Sequence, residues 1–376
     1  MVDHTTLEPP LTQRTRRLFR RRTTGWIGVD VGTCAIKVAQ VEHDRTGWRL
    51  ITSRIIPIQD GQEVNEQSLS DGSIGQTIRA GLATRSSFGG RKAACVLPMS
   101  VMDLLSLELP CASDSDIRQM VKQELESEMD GHREPREFDF WQCPRPANER
   151  DEKIQVSVLS VSRQTAFGIA QGLVSAGLQC HVLDGLPFCL ARAVKMASPE
   201  SGRTPMAAID WGFTSALFTL VVDGRPVFAR KFRDCGMHHL MEAISERLQL
   251  SQNECRQLLT SYGFSANASD GASSGDVRQV LTQLADAPFR QLLEETEKTL
   301  SFLRQQYHEL FPQQLWLFGG GATIRNIANL IAAAVGIETG VWQLMPSSSD
   351  ANSPADPVQA VLGPAIALSA LAGDVS

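Results

Sequence analysis

The chain has 376 residues, of which 42% are hydrophobic and 21% charged, and its formal net charge is -6. This length is enough for two or three packed domains, and the composition is typical of a globular protein. The negative charge argues against a nucleic-acid partner, and no apolar run reaches the roughly 18 residues that a membrane-spanning helix needs.

An arginine-rich leader, residues 1–24, precedes the first predicted strand. Its basic residues are Arg14, Arg16, Arg17, Arg20, Arg21 and Arg22, set against Asp3 and Glu8. No apolar stretch follows them, so the segment does not have the pattern of a secretion signal. We expect a flexible leader; the alternative is that Arg14–Arg22 contacts an anionic membrane surface or an acidic partner.

The first half of the chain alternates between strand and helix patterns. Strands are predicted over 26–32, 34–43, 48–58, 93–99, 102–110, 138–143, 154–162 and 179–185, and helices near 74–85, 113–129, 163–176 and 187–198. The helix at 113–129 has Ile117, Val121 and Leu125 at four-residue spacing after a Ser/Asp start signal. The polar stretch 59–73 is predicted to be a loop.

The second half restarts the same pattern. A strand at 206–212 is followed by a hairpin at 215–232 with an Asp223-Gly224 turn, and a further strand ends at Phe318. Helices are predicted near 237–248, 251–259, 276–308, 324–334 and 358–370, with polar loops at 265–276 and 346–357. Because strands and helices alternate throughout, the fold class is α/β.

An internal repeat links the two halves. "VDVGTCAIKVAQV" at 29–41 aligns with "IDWGFTSALFTLV" at 209–221, which pairs Asp30 with Asp210 and Gly32 with Gly212. A single Asp-x-Gly turn is common, so two chance hairpins remain an alternative for the pair alone. If the halves are related, however, their two glycine turns can face each other across a cleft.

These turns have the chemistry of a nucleotide site. Glycine lets backbone N–H groups approach phosphate oxygens, and Thr33 adds a hydroxyl donor. A carboxylate at each strand end, Asp30 and Asp210, can hold a hydrated Mg²⁺. Lys37 lies four residues after Thr33, on the same face of a strand, and can point toward the phosphates.

A third glycine motif, Gly319-Gly320-Gly321-Ala322-Thr323, follows the strand "LWLF". Glycines between a strand and a helix let an adenine or ribose lie against the backbone, and a helix start favours a phosphate. No Gly-Lys-Ser/Thr follows, so this is not a P-loop, and the spacing is not that of the dinucleotide fingerprint.

Metal-ligating patterns are otherwise weak. The eight cysteines form no C-x-x-C pair, and we expect most of them to be buried small hydrophobes. His238 and His239 are adjacent on a predicted helix, so we expect them to point in different directions and to bind no metal.

In this order the three motifs resemble those of the actin-like ATPase superfamily. "IGVDVGTCAIKVAQVE" is similar to its phosphate 1 motif, "AAIDWGFTSALFTLVVDG" to phosphate 2 and "LFGGGAT" to the adenosine motif. Within that superfamily the chain resembles the type IV pilus assembly protein PilM family. The likeness runs from about residue 24 to 372 and includes "VLPMSVMDLLSLELP" and "LEETEKTLSFLRQQY".

The resemblance implies an ATP site and assigns its residues. The first phosphate loop would contain Gly32, Thr33, Cys34 and Lys37; the second Gly212, Phe213 and Thr214; the adenosine side Gly319, Gly320, Gly321 and Ala322; and the ribose or base contacts Glu297 and Lys298. Asp30 and Asp210 would hold Mg²⁺ through water. Asp210, and Asp184 at a strand end, are the candidates for positioning an attacking water, although Asp184 also suits a turn or helix start.

The implied architecture has two related βββαβα-type halves around a nucleotide cleft, with an inserted subdomain of the kind that FtsA and PilM share. We expect the first half at 25–93 and 181–204 with part of 358–372, the inserted subdomain at 94–180, and the second half at 205–357 with a flexible loop at 264–276. Three residues depart from the family pattern, namely Cys34, Trp211 and Phe213, and so does the segment 127–140.

The implied function is that of an ATP-binding protein, cytoplasmic and peripheral at a bacterial inner membrane, in the platform that assembles type IV pili. It would bind a short N-terminal peptide of a PilN-like membrane protein, with slow or absent ATP hydrolysis, and self-association is left open. The alternatives are a small-molecule kinase of the same fold, an FtsA-like filament protein and a type II secretion platform protein.

Overall fold

The structure is a computed structural model that describes residues 22–45, 47–58, 64–83, 88–127, 135–144, 153–199, 202–265, 276–344 and 356–373. The strands are β1 (Thr23–Thr24), β2 (Ile27–Val31), β3 (Ala35–Asp44), β4 (Gly47–Pro57), β5 (Lys92–Val96), β6 (Asp103–Pro110), β7 (Arg136–Gln142), β8 (Lys153–Ser162), β9 (Gln179–Asp184), β10 (Met206–Trp211), β11 (Ala216–Val222), β12 (Arg225–Phe232), β13 (Gln314–Phe318) and β14 (Glu338–Val341). The helices are α1 (Glu66–Ser70), α2 (Ile74–Ala83), α3 (Asp114–Ser127), α4 (Arg163–Ser175), α5 (Leu186–Ala197), α6 (Met237–Leu248), α7 (Gln252–Ser261), α8 (Val277–Gln306), α9 (Ile327–Val335) and α10 (Val358–Ala370).

The internal repeat is a repeat of sheet topology. The first sheet has the order β1-β3-β2-β5-β9 with β4 paired to β3, and the second has the order β12-β11-β10-β13-β14. In each, an antiparallel three-strand meander is followed by two strands parallel to its first strand. Strands β2 and β10, which carry the two aspartates, are almost wholly buried because both faces are covered.

Helix α10 connects the two halves. It packs on β2, β3 and α5 and also reaches the turn Gly320–Thr323. The Ser369 hydroxyl donates to Trp26 O at 2.5 Å and accepts from Val41 N at 2.9 Å. Gly319 N donates to Ala360 O at 3.2 Å. A helix that is apolar on almost all sides is one that the fold buries, and most of α10 is buried.

The inserted subdomain is a three-stranded sheet, β6-β8-β7, covered by α3. Ile117, Val121 and Leu125 of α3 form its separate core with Ile154, Val156 and Val158 of β8. The ends of the expected range 94–180 lie elsewhere: β5 and β9 belong to the first sheet, and α4 packs on α1 and α2. We therefore propose 103–162 as the bounds of the inserted subdomain.

Three local elements differ from the sequence-based expectations. The predicted loop 59–73 contains α1, which forms because Asn65 and Ser68 cap its start reciprocally. Strand β14 was not predicted. Helix α9 begins at Ile327 rather than 324, since Gly320–Thr323 form a 3₁₀ turn first.

Several expectations fall outside the described residues. They concern the leader up to residue 21, the loop 266–275, residues 128–134 of the departing segment 127–140, and residues 346–355 of the predicted loop 346–357. Within the described residues, no helix is long and apolar enough to cross a bilayer. All eight cysteines are described, and no disulfide joins them.

Candidate functional site

The two glycine hairpins form matching turns that face each other. Gly32 N donates to Ala35 O, and Gly212 N donates to Ser215 O, both at 3.0 Å. The Thr33 and Thr214 hydroxyl oxygens lie 3.5 Å apart across the gap between the halves. The repeat found in the sequence therefore brings two equivalent turns together.

A cavity of about 490 Å³ opens between these turns. Both hairpins line it, together with the β5–β6 connection, the starts of α5 and α10, one face of α7 and part of the glycine run. Its size lies within the range of small-molecule and cofactor sites. Asp30 and Asp210 both line it, so the two repeated carboxylates share one site.

Lys37 lies directly opposite Asp30 in the β2–β3 register, and its Nζ is 3.1 Å from Asp30 Oδ2. Burial alone would lower the pKa of Lys37, but the carboxylates of Asp30 and Asp210 raise it above its ordinary value. The side chain is therefore an ammonium shared between two carboxylates. The predicted orientation of Lys37 toward the cavity is what the structure has.

For Lys37 the raised pKa favours the charged form, whereas for Asp210 the raised pKa disfavours it. Removal from bulk water raises the pKa of its carboxyl, Lys37 lowers it and Asp30 raises it, and the net result is a pKa of about 6. Lys37 therefore acts on both carboxylates, and Arg256 of α7 adds a second positive charge to the lining of the cavity. Hard carboxylate oxygens are the ligands that a hydrated Mg²⁺ prefers.

The glycines of the third motif have different roles. Gly319 has φ 77°, and a Cβ there would lie 2.7 Å from Asp210 Oδ1. Gly319 and Gly320 line the cavity. Gly321 and Ala322 are buried and do not line it, and a Cβ at Gly321 would overlap the Trp211 ring. Gly321 is thus packed against Trp211, and the nucleotide contacts predicted for Gly321 and Ala322 stay a prediction.

Glu297 and Lys298 lie away from the cavity. Both are exposed on α8, and Lys298 Nζ pairs with Glu295 at 2.8 Å. The cavity is lined instead by Arg256, Gln257 and Thr260 on one face of α7, which the sequence analysis missed. Thr260 lies four residues after Arg256 and three after Gln257, so both neighbour it on the helix surface, but only the fold shows which face is turned inward.

Asp184 also lies outside the cavity lining. Its Oδ1 accepts from Gly185 N at 2.8 Å, and its Oδ2 is 3.1 Å from Arg192 Nη1. Of its two proposed roles, these contacts are those of a carboxylate at a helix start, because α5 begins at Leu186.

The sequence profile of the type IV pilus assembly protein PilM family matches residues 28–354. The chain belongs to this family. No curated protein sequence is significantly similar to the chain. Among solved structures, the PilM-PilN type IV pilus biogenesis complex matches with a TM-score of 0.70 and 19% identity, over 93% of this chain and 98% of that chain.

Two further structures extend the comparison beyond PilM. The ethanolamine utilization protein EutJ from Carboxydothermus hydrogenoformans matches with a TM-score of 0.51 and 13% identity, over 92% of this chain and 89% of that chain. MreB5 of Spiroplasma citri, solved with AMPPNP, matches with a TM-score of 0.50 and 11% identity, over 93% of this chain and 96% of that chain. The expected α/β, actin-like ATPase fold is confirmed.

In this PilM family member, the surrounding packing explains one departure from the family pattern, namely Trp211. Trp211 is fully buried, fills the space above Gly321 and stacks against Phe289 at 6.1 Å between ring centroids. The large side chain is thus accommodated inside the second half rather than in the cavity. Phe213 and Cys34 do line the cavity, so these two departures fall at the site itself.

Proposed function

We propose that this chain binds Mg·ATP in the 490 Å³ cavity and couples the nucleotide state to a short N-terminal peptide of a PilN-like inner-membrane protein. The main support for the proposal is that the hydroxyl oxygens of Thr33 and Thr214 lie only 3.5 Å apart. The two phosphate-type turns are therefore close enough to contact the same ligand. A ligand held by both turns bridges both halves of the fold.

The glycine and charged residues of the lining suit nucleotide binding. The turns at Gly32 and Gly212 leave room for phosphate oxygens, and Lys37 and Arg256 add positive charge. Gly319, Gly320 and α7 face the remainder of the cavity, where the nucleoside fits. Asp30 and Asp210 would hold Mg²⁺ through water, and the bound ion would neutralise phosphate charge.

We expect slow or absent hydrolysis. Among the described residues that line the cavity, the carboxylates are Asp30 and Asp210, and both belong to the proposed magnesium site. Asp210 is therefore the remaining candidate for positioning water, and it would have to serve two roles. A steady-state kcat above about 1 s⁻¹, ordinary for an enzyme, would contradict this expectation.

A second and larger cavity, of about 1400 Å³, is the proposed peptide groove. It lies where the inserted subdomain (α3 and β7) meets α5 of the first half and the β11–β12 turn of the second. Aromatic side chains line it, namely Trp48, Phe140, Trp141 and Phe188, and charged groups of both signs surround them. An apolar peptide with polar ends suits such a lining.

The position of the groove provides the coupling. Its walls belong to all three parts of the fold, and Lys195 of α5 is 3.5 Å from Asp223 of the β11–β12 turn across the junction of the halves. If Mg·ATP draws the halves together, the groove changes shape. A peptide that prefers one shape is then bound with a nucleotide-dependent affinity.

Replacing Phe140 by Ala should weaken binding of a synthetic PilN-like N-terminal peptide by about tenfold, because an aromatic wall of the groove is lost. Phe138→Ala is the matched control. Both phenylalanines lie on β7 beneath the Arg118 guanidinium, at 5.3 Å for Phe140 and 5.4 Å for Phe138, but only Phe140 lines the groove. Fluorescence anisotropy measures both affinities.

The same titration tests coupling when it is repeated with and without Mg·ATP. We expect the peptide affinity to change by about fivefold or more. Equal affinities in the two conditions would contradict coupling but not peptide binding. If Phe138→Ala and Phe140→Ala lost equal peptide affinity, the peptide would not bind in the proposed groove.

We propose a cytoplasmic location, peripheral at the inner membrane, through the peptide partner and the leader Arg14–Arg22. Of the leader, only Arg22 and the two residues after it are described, and Arg22 Nη1 is 3.4 Å from Glu42. Each basic residue near an anionic surface contributes about 1 kcal/mol. Removing residues 1–22 should therefore release the protein from anionic liposomes in a sedimentation assay. Equal sedimentation of the full-length and shortened chains would show that the leader does not bind the membrane.

A further inference from the structure

Two histidines and a glutamate converge at the start of α6. One potential ligand atom from each of His238, His239 and Glu242 lies within 4.8 Å of the others. The two imidazole rings are 3.8 Å apart between centroids, so the expectation that adjacent histidines would diverge is wrong. All three side chains are reachable from solvent, the histidines being half-buried and Glu242 exposed.

The convergence is produced by the second phosphate-type hairpin. His238 Nδ1 lies 2.8 Å from Phe213 O, and His238 N also donates to that carbonyl at 3.0 Å. Because a carbonyl only accepts, Nδ1 carries a proton, and in the neutral ring Nε2 therefore has the lone pair that a metal ion needs. Metal-binding histidines are commonly oriented in this way, with the second ring nitrogen donating to a backbone carbonyl.

His239 and Glu242 complete the cluster from one helix face. They are three residues apart, and His239 Nδ1 is 3.7 Å from Glu242 Oε2. Two imidazoles and one carboxylate form a donor set typical of zinc, and three protein ligands leave one coordination position open. Bonds of about 2.1 Å require ligand atoms roughly 3.4 Å apart, a change that rotation of the exposed Glu242 and half-buried His239 side chains can supply.

We propose that His238, His239 and Glu242 bind a divalent transition-metal ion of the Zn²⁺ type, next to the second phosphate-type turn. The site is distinct from the carboxylate pair in the cavity and does not depend on nucleotide binding. Phe213 lines the cavity while its carbonyl holds His238, so a bound ion would fix the position of a turn that lines the cavity.

The test uses the full-length chain, freed of metal with a chelator, and titrates it with Zn²⁺ by calorimetry and with Co²⁺ by visible absorption. We expect one saturable equivalent with a Kd in the micromolar range or tighter, and a Co²⁺ spectrum of a four- or five-coordinate ion. His239→Ala and Glu242→Gln should each weaken the affinity by at least tenfold, in line with the loss of one ligand.

His308→Ala, at an exposed histidine after α8, is the matched control and should bind as the unaltered chain does. Circular dichroism checks that the variants fold, and Glu242→Gln keeps both the size and the helix position of the side chain. Affinities in His239→Ala and Glu242→Gln equal to that of the unaltered chain, or the absence of saturable binding, would overturn the proposal.

Discussion

Asp210→Asn should abolish magnesium-dependent ATP binding and, in the same molecule, stabilise the ligand-free fold above about pH 6. The first effect follows because one of the two carboxylates proposed to hold Mg²⁺ is lost. The second follows because Asn keeps the shape of the side chain but removes a charge that the folded protein disfavours. Few substitutions are expected to change binding and stability in opposite directions.

The pH dependence has a definite sign. The pKa of Asp210 rises from the ordinary 3.8 to about 6 on folding, so between these values the folded state binds more protons than the unfolded state. The free energy of unfolding therefore falls as the pH rises through this window, and the penalty is complete above it. Because Asp210 still faces the cavity, we expect roughly 1–2 kcal/mol rather than the full value of the shift, which is about 3 kcal/mol.

Urea denaturation of the ligand-free protein at pH 5 and pH 8 measures the stability effect, and calorimetry with Mg·ATP measures binding. Asp184→Asn is the matched control, because Asp184 is also an aspartate at a strand end but pairs with Arg192 outside the cavity. It should leave ATP affinity unchanged. Retained Mg·ATP affinity in Asp210→Asn would contradict the proposed metal site, and a loss of stability at pH 8 would contradict the account of the raised pKa.

Gly321→Ala should destabilise the protein by about 1–3 kcal/mol, although it adds only a methyl group. A Cβ at this position overlaps the Trp211 ring, and Trp211 is fully buried, so neither group can move without disturbing the second sheet. Interiors are close-packed, and overlap with a rigid ring is not relieved by small adjustments. Thermal or urea denaturation measures the loss.

The neighbouring glycine supplies the control. At Gly320 a Cβ would lie 3.1 Å from Met237 Sδ, the end of a flexible side chain, so Gly320→Ala should cost clearly less stability. Trp211→Leu combined with Gly321→Ala should cost less than the sum of the single changes, since the smaller side chain makes room for the methyl group. Additive costs would show that Gly321 is required for some other reason.

The sequence was most informative where covalent spacing and sheet register determine geometry. Asp30 and Asp210 end equivalent buried strands, and a tight turn then places Gly32 and Gly212 at equivalent points, so the shared site followed once the repeat was seen. Lys37 could be oriented because a strand alternates its side chains. The short motif alone was sufficient for these residues.

Residues positioned by tertiary packing could not be predicted in this way. Nothing in the local sequence shows that α7 turns Arg256 inward while α8 turns Glu297 outward, because both helices are amphipathic and carry charges. The convergence of His238 and His239 on α6 depends on the Phe213 carbonyl, which belongs to the hairpin before that helix. The role of Gly321 depends on Trp211, more than a hundred residues earlier in the chain.

Helix α10 has a consequence for how the chain acquires its structure during synthesis. Ser369, which donates to Trp26 O at 2.5 Å, lies 343 residues after Trp26, so β2 is synthesised long before the helix that covers it. Until α10 is synthesised, the inner surface of the first sheet lacks the helix that covers it. Such long-range closure slows folding and leaves apolar strands of the nascent protein exposed for as long as α10 is missing.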